Sequence, residues 1–593
     1  MTTAAPDVLA WRQAVLDAER RGELLSAVDA AEQALREHPG DRWLQHRAVL
    51  ALARAGSTEE AMRRFRAYGL EQVQDEDAKA LEARLEKDLA LAEEGEGRRV
   101  AAARAAALYH AVFENTGGYY SGINAATLHL LADQAEKARG LAERVLELAR
   151  EATADGYYAA ATEAEAHLLL GHADAARAAL TRAAELADGD HAAVATTRRQ
   201  LRLVCGALDF EEGVLDSLPA PEVVHYCGHR ITPGSGGRLD AGDEPILTER
   251  IQAAIADRPI GYAYGSLASG ADILWAEALL DRGAEVHVVF PFAREEFVAL
   301  SVAPAGPRWV ERFHRCLERA TSLHYATEDG YLGDDVLYGY ASELAMGLAI
   351  LRARHLDAAV SQIAVWDGCP TAGEAGTAVD VETWRRRGLP SVIVHTKRLR
   401  DEDPGDRTST SRRVVRALLF ADVEAFSKLQ ERHLPSFFEH VLGAFANVLE
   451  RHRAVVDYCN TWGDALYVVV SEAEAAAAVA LDLRAAVSEL DADAAGLPPL
   501  GLRIGAHLGP VYPIVDPVLG TRAFTGSHVS RTARIEPVTP AGSIYVSERF
   551  AAALLLATKD AFACDYVGHM PAAKDYGSLR MYRLRPTSAV TVV

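Results

Sequence analysis

The sequence predicts a multidomain chain in which an α-helical region precedes two α/β regions. Three observations carry that reading. Apolar residues recur at helical spacing over the first two hundred positions. From about residue 220, short β-rich runs alternate with amphipathic segments. After residue 413 the alternation resumes, now with acidic residues at the ends of apolar strands. A length of 593 residues allows about four domains. The 49% apolar and 25% charged composition is that of a globular protein. With 62 basic against 84 acidic residues, the net charge of −22 lacks the basic field of a nucleic-acid binder. Cys205, Cys227, Cys316, Cys369, Cys459 and Cys564 form no CxxC pair, which argues against a zinc ribbon or a disulfide framework and for a reducing compartment. The start, MTTAAPDVLAW, has no basic-then-apolar leader, and no run approaches 18 apolar residues. The expectation is a cytoplasmic protein with neither membrane nor nucleic acid as partner.

Residues 1–95 read as paired helices. LLSAVDAAEQALREHPGD stops at Pro39-Gly40, and a second unit from Arg42 to Leu70 turns at Gly56-Ser57. The pairs resemble tetratricopeptide repeats. Residues 96–215 stay helical, and two strings stand out: GGYYSGINAATLHLLAD at 117–133 and YYAAATEAEAHLLLGHADAARAAL at 157–180. Together they resemble the TRAFs-binding domain, a helical module. The resemblance implies a scaffold or regulatory array with a protein partner.

Residues 220–400 read as a parallel α/β domain. Strands are expected at 223–228, 260–265, 284–292, 322–327, 361–368 and 391–396, with helices at 246–257, 271–282, 307–319, 334–355 and 377–387. Two glycine turns each join a strand to a helix: Gly265-Ser266 through Gly270 to Ala271-Asp272, and Gly373 through Gly376-Thr377, followed by Asp380. Each would present free backbone N–H groups to a phosphate. Asp367 reads either as a ribose ligand or as a turn residue. The pair of turns resembles the SLOG superfamily of Rossmann-like domains, which bind nucleotides or their derivatives. The second turn is similar to that family's GGxGTxxE motif, but Glu374 stands for a glycine and Asp380 for the glutamate. The resemblance therefore implies a sensor of a small nucleotide-derived effector more than a hydrolase, with bulk at 374 narrowing the phosphate approach. DEDPGDRTSTSRR at 401–413 reads as a linker.

Residues 414–586 carry the chemistry. ALLFADVEAFSKL ends a strand in Asp422, and AVVDYCNTWGDALYVVV reads as a hairpin with Asp464 in its turn. Two acids at neighbouring strand ends can hold two hard cations. LGLRIGAHLGPVYPIV at 500–515 reads as another hairpin, and Val529–Ile535 as a helix with Ser530 and Arg534 on one face.

These blocks resemble the class III nucleotidyl cyclase catalytic domain. FADVEAF matches its FxDxxxF pattern, the GD turn its second acid block, LRIGAHLG its RxGxxxG strand and GSHVSRTARI its GxxVNxxxR helix. The resemblance implies a ferredoxin-like α+β domain that works as a head-to-tail homodimer. It implies Asp422, Val423 and Asp464 as the site for two Mg²⁺ or Mn²⁺ ions and Arg534 as the group that stabilises charge on the α-phosphate. Lys574 would grip the terminal phosphates, and Asn460 and Ala523 stand at the base-reading positions. Ser530 replaces the ribose-orienting asparagine of the family. The implied activity is conversion of a nucleoside triphosphate, ATP by default, to its 3′,5′-cyclic monophosphate and pyrophosphate. Regulation would come from the helical and nucleotide-sensing regions. Three alternatives stand beside it: a pyrimidine cyclase making cCMP or cUMP, a catalytically silent nucleotide-binding scaffold, and a glycosyl-bond hydrolase centred on Asp380.

Overall fold

The computed structural model describes residues 8–152, 156–231, 238–239, 241–371, 373–396, 413–424, 426–558, 561–573 and 577–587. The expected linker, apart from Arg413, and Lys574 lie outside the described residues. The chain divides into two compact units, one made mostly of residues 1–221 and one of most of the remainder.

The first unit holds eleven described α-helices, from Val8–Arg20 to His191–Leu208. Asp41, Asp75 and Asp190 cap three of them, each carboxylate accepting from the backbone N–H three residues on, which satisfies an otherwise orphaned donor. Alanine and leucine fill the core, where small side chains let helices pack closely. The GINAATL string has a structural reason. Its Asn124 accepts from Lys87 Nζ at 2.8 Å, and its Thr127 donates to Glu165 at 2.6 Å. Gln200 donates to the same Glu165 oxygen at 2.7 Å and accepts from Lys87. Burial pushes the Lys87 amine down to about 8. A charge this deep is tolerated because each member of the network is hydrogen-bonded.

The second unit holds two sheets. The first contains β1 (Glu222–Gly228), β2 (Ile260–Gly265), β3 (Glu285–Phe290), β4 (Ser322–Tyr325), β5 (Val360–Trp366) and β6 (Ser391–His395). All are parallel, in the order β4-β3-β2-β1-β5-β6. Helices connect them: α1 (Glu244–Ile255), α2 (Ala271–Asp281), α3 (Arg294–Ser301), α4 (Pro307–Arg319), α5 (Val336–Leu356) and α6 (Thr377–Arg386). The strand order reverses between β1 and β5, the place where open parallel sheets leave a crevice at their carboxyl ends. The sequence reading missed α3, which is only eight residues long.

The second sheet contains β7 (Val414–Glu424), β8 (Val456–Trp462), β9 (Ala465–Val470), β10 (Gly501–Val515), β11 (Arg522–Thr525), β12 (Ile544–Ser547), β13 (Phe562–Pro571) and β14 (Ser578–Pro586). Its order is β13-β14-β12-β10-β7-β9-β8, with β11 paired to β10. Its helices include α7 (Gly443–Arg451), α8 (Ala473–Ser488), α9 (Ser527–Ile535) and α10 (Glu548–Ala557).

One expectation is corrected. Residues 501–515 form a single fifteen-residue strand rather than a hairpin. β7 pairs antiparallel with it from Gly501↔Glu424 to Val511↔Val414, so its backbone groups are satisfied through Gly509 and Pro510 without a turn. Gly509 serves another purpose: a Cβ there would run into the His528 ring of α9. The reversal comes after Val515, where Asp516 ties the turn by accepting from Val518 and Leu519 N–H.

Candidate active site

β7 and the β8–β9 hairpin bring the two predicted acids together. Ala421 of β7 pairs with Leu466 of β9, so Asp422 stands beside the hairpin turn that carries Asp464. Gly463 makes that turn at φ 68°, a left-handed conformation glycine adopts freely. Strand alternation sends the Val423 side chain into the core, leaving its backbone carbonyl as the only oxygen it can offer.

Burial, and next the neighbouring Asp422 charge, push the Asp464 carboxyl above its usual range. Arg503 of β10 sits opposite Asp422 in the strand register and donates to it at 2.6 Å. The same guanidinium lies 2.5 Å from Glu536, just beyond α9. Burial raises Glu536 as well, with the Asp422 and Asp464 charges adding to it against the pull of Arg503. Sequence reasoning left out Arg503 and Glu536, although the RIG and RIE strings contain them.

Two half-buried carboxylates in mutual repulsion suit a divalent cation with oxygen preference. Among the described residues no group of three or more His, Cys, Asp or Glu side chains forms a metal shell. The donors on offer are therefore the two aspartates and the Val423 carbonyl, which leaves coordination positions for phosphate oxygens and water.

α9 presents Ser530 exposed, and Arg534 half-buried with its Nε lacking a partner among the described residues. The guanidinium is thus available to an anion. β11 lies beside β8, with the Tyr458 and Phe524 rings 6.2 Å apart. Asn460 is on β8 and Ala523 on β11. Asn460 Oδ1 accepts from Thr461 N at 2.9 Å, leaving the amide NH₂ free to donate.

In the parallel sheet, a cavity of about 380 Å³ opens at the strand reversal. Gly265, Ser266, Gly376, Thr377 and Asp380 line it together, as does Asp272, to which the sequence reading gave no role. Burial pushes both Asp272 and Asp380 up to about 7, against backbone donors at Asp272 and the Ser342 hydroxyl at Asp380. Gly270, at φ 102°, starts α2 but is not a lining residue; a Cβ there would press on the Ile231 backbone. Gly373 is also outside the lining. Glu374 is exposed and outside it too, so its bulk does not narrow the cavity. Asp367 lies outside the cavity lining. It accepts from Cys369 N at 3.0 Å and pairs with His229 and Arg238, which hold it down to about 2 against its burial.

Residues 411–585 match the family model described as the adenylate and guanylate cyclase catalytic domain. Residues 23–129 match the model described as Tetratricopeptide Repeats-Sensor, and that match takes in the GINAATL string. No curated protein matches the chain. Among solved structures, the guanylate cyclase domain of RhGC from Catenaria anguillulae, in complex with GTP, is 22% identical. The match covers 29% of this chain and 97% of that one, with a TM-score of 0.26. The adenylyl cyclase CyaB from P. aeruginosa is 17% identical over 30% of this chain and 96% of its own, with a TM-score of 0.27. Adenylate cyclases from Trypanosoma brucei, in their monomeric state, are 18% identical over 30% and 89%, with a TM-score of 0.26. No described helix is long and apolar enough to cross a membrane. The C-terminal region is a class III adenylate/guanylate cyclase catalytic domain, and a tetratricopeptide-type helical region precedes it.

Proposed function

We propose that the chain converts a nucleoside triphosphate, ATP by default, to its 3′,5′-cyclic monophosphate and pyrophosphate. The observation that carries this reading is the pairing of Asp422 with Asp464 at adjoining strand ends, braced by Arg503. When bound at Asp422, the Val423 carbonyl and Asp464, two Mg²⁺ or Mn²⁺ ions would supply the Lewis acidity that lowers the pKa of the ribose 3′-hydroxyl and neutralises the triphosphate.

The chain's own residues do the remaining work. Arg503 holds Asp422 in place. Arg534 of a second copy faces the α-phosphate, where negative charge builds as the 3′-oxygen attacks and the bond to the β-phosphate breaks. Ser530 hydrogen-bonds the ribose with a shorter reach than asparagine, which favours slow turnover. Lys574 is the candidate grip on the terminal phosphates. The free Asn460 amide donates to an acceptor on the base, while Ala523 adds no polar reading. That combination leaves room for a pyrimidine substrate giving cCMP or cUMP.

In this reading the cyclase domain, 414–586, is ferredoxin-like and pairs head to tail as a homodimer. The Rossmann-like region at 220–400, similar to SLOG domains, senses a small nucleotide-derived effector in its cavity. The helices of 1–95 and the TRAFs-binding-like 96–215 dock a protein partner, and the setting is cytoplasmic. Ser530 in the ribose position favours one rival, a silent nucleotide-binding scaffold.

The test is incubation of the full chain with ATP, GTP, CTP and UTP separately, with Mn²⁺, and mass spectrometry of the products. One cyclic monophosphate with pyrophosphate supports the cyclase. No product from any of the four favours the scaffold.

A further inference from the structure

The segment after β4 touches two functional places at once. On one side, Ser527 of α9 donates to Asp329 at 2.8 Å, and His528 Nε2 lies 3.1 Å from Thr327 Oγ1. Arg531 of α9 pairs with Glu328 at 3.7 Å. These contacts fall on α9 one to three residues from Ser530 and three to seven from Arg534. His528 is fully enclosed, and its other ring nitrogen meets His507 Nε2 at 2.8 Å. His507 in turn reaches Ser547 at 2.7 Å, so the contact continues into β10 and β12. Burial pushes both imidazoles down, which keeps this chain of hydrogen bonds neutral.

On the other side, the same segment forms a wall of the 380 Å³ cavity through Tyr331 and Asp335, whose side chains bond to each other at 3.0 Å. Between the two ends, Asp334 is fully buried in an ion pair with Arg413, at the start of β7. Arg413 also donates to Gly330 O at 2.9 Å. A short segment pinned at both ends and in its middle transmits displacement as a body, because close-packed groups cannot deform independently.

The cavity is a built site. Tyr226, 1% exposed, is among its lining residues, and its hydroxyl has no hydrogen-bond partner among the described residues. A buried orphan hydroxyl costs free energy until a ligand satisfies it. Asp272 and Asp380 offer acceptors beside it, and the first turns of α2 and α6 face the same crevice.

We infer that residues Thr327–Asp335 are a strut by which the occupant of the switch-point cavity positions α9, and with it Ser530 and Arg534. The inference rests on the cyclase reading for its consequence, but the coupling itself does not. Thr327, Glu328 and Asp329 are then positioning residues, supplied to the cyclase site by the parallel α/β region.

The test needs no knowledge of the ligand, because side chains can fill the cavity. Ala341→Met and, separately, Ser266→Phe are made in the full chain. Each is made with the strut intact and with it cut by Thr327→Val plus Asp329→Ala. Hydrogen exchange is followed in peptides covering 522–540 and in peptides of the cavity wall. With the strut intact, filling should change α9 exchange by about threefold. With the strut cut, the filled and unfilled chains should exchange alike at α9 while still differing at the cavity wall. A change at the wall with none at α9, or the same change at α9 in both backgrounds, overturns the strut.

Turnover of the same proteins separates the two readings. With the strut intact, filling should change kcat by about fivefold and KM by less than about twofold. The expected exchange pattern without cyclic product from any of them would support the strut and overturn the cyclase.

Discussion

Asp422 and Asp464 on the one hand, and Asp272 and Asp380 on the other, are two pairs of the same residue in opposite settings. The first pair stands half-buried at the strand ends of a mixed sheet, with Arg503 hydrogen-bonded to Asp422 and the Asp422 charge crowding Asp464. The second pair is at least nine-tenths buried in a parallel-sheet crevice, and burial lifts both to about 7. An open, charged pair is suited to cations and phosphates. An enclosed pair near neutrality is suited to hydrogen-bonding an uncharged part of a ligand. In the proposed reading, this difference in environment gives turnover to the first pair and recognition to the second.

That contrast can be broken most forcefully at the open pair. Asp464→Asn should lower kcat by about 10³-fold while the melting temperature holds or rises, since the variant removes a crowded charge. Activity within tenfold of the parent would detach the chemistry from this pair. Arg534→Ala should cost about 10²-fold in kcat, read against an unchanged circular-dichroism spectrum.

Smaller effects sharpen the structural half of the comparison. Gly509→Ala should destabilise the second unit by about 2 kcal/mol, because the new methyl meets the His528 ring; urea denaturation reads this directly. The enclosed pair predicts a pH dependence. Asp272 and Asp380 ionise near 7 when folded and near 4 when unfolded, so the folded state binds more protons between those values. Stability from these groups is fully present below about pH 4 and is lost as pH rises through about 7. The melting-temperature advantage of Asp272→Asn over the parent should therefore grow from pH 4 to pH 8, by about 2 °C or more. A constant difference would mean that burial does not hold the acid neutral.

The sequence made the two halves unequally legible. Asp422 and Asp464 stand out as acids at neighbouring strand ends, and the fold brings those ends together, whereas Arg534 is expected only through the resemblance of GSHVSRTARI to the cyclase helix. The parallel sheet was legible from alternation: every strand boundary lies within two residues of where the pattern puts it, with β3, β4 and β5 each ending two residues sooner. The fifteen-residue β10 was misread as a hairpin because Gly509 and Pro510 are turn residues by local preference. Long-range pairing with β7 and the need to admit His528 override that preference. Asp272 ended the first turn's string but carried no expected role, because a carboxylate inside a hydrophobic helix start has no local signature; only the fold reveals that it lines one cavity with Asp380. Glu374 failed as a predicted obstruction for the converse reason. Its sequence position suggests a phosphate turn, but its side chain points to solvent.

In the proposed reading the open site makes cyclic nucleotide and is completed by a second copy. The most direct measurement mixes two inactive full-length variants, Asp464→Asn and Arg534→Ala. Random pairing puts half the dimers in the mixed form, with one of two sites intact, so activity should return to about a quarter of the parent's. Product no greater than the sum of the two variants alone would contradict the shared site.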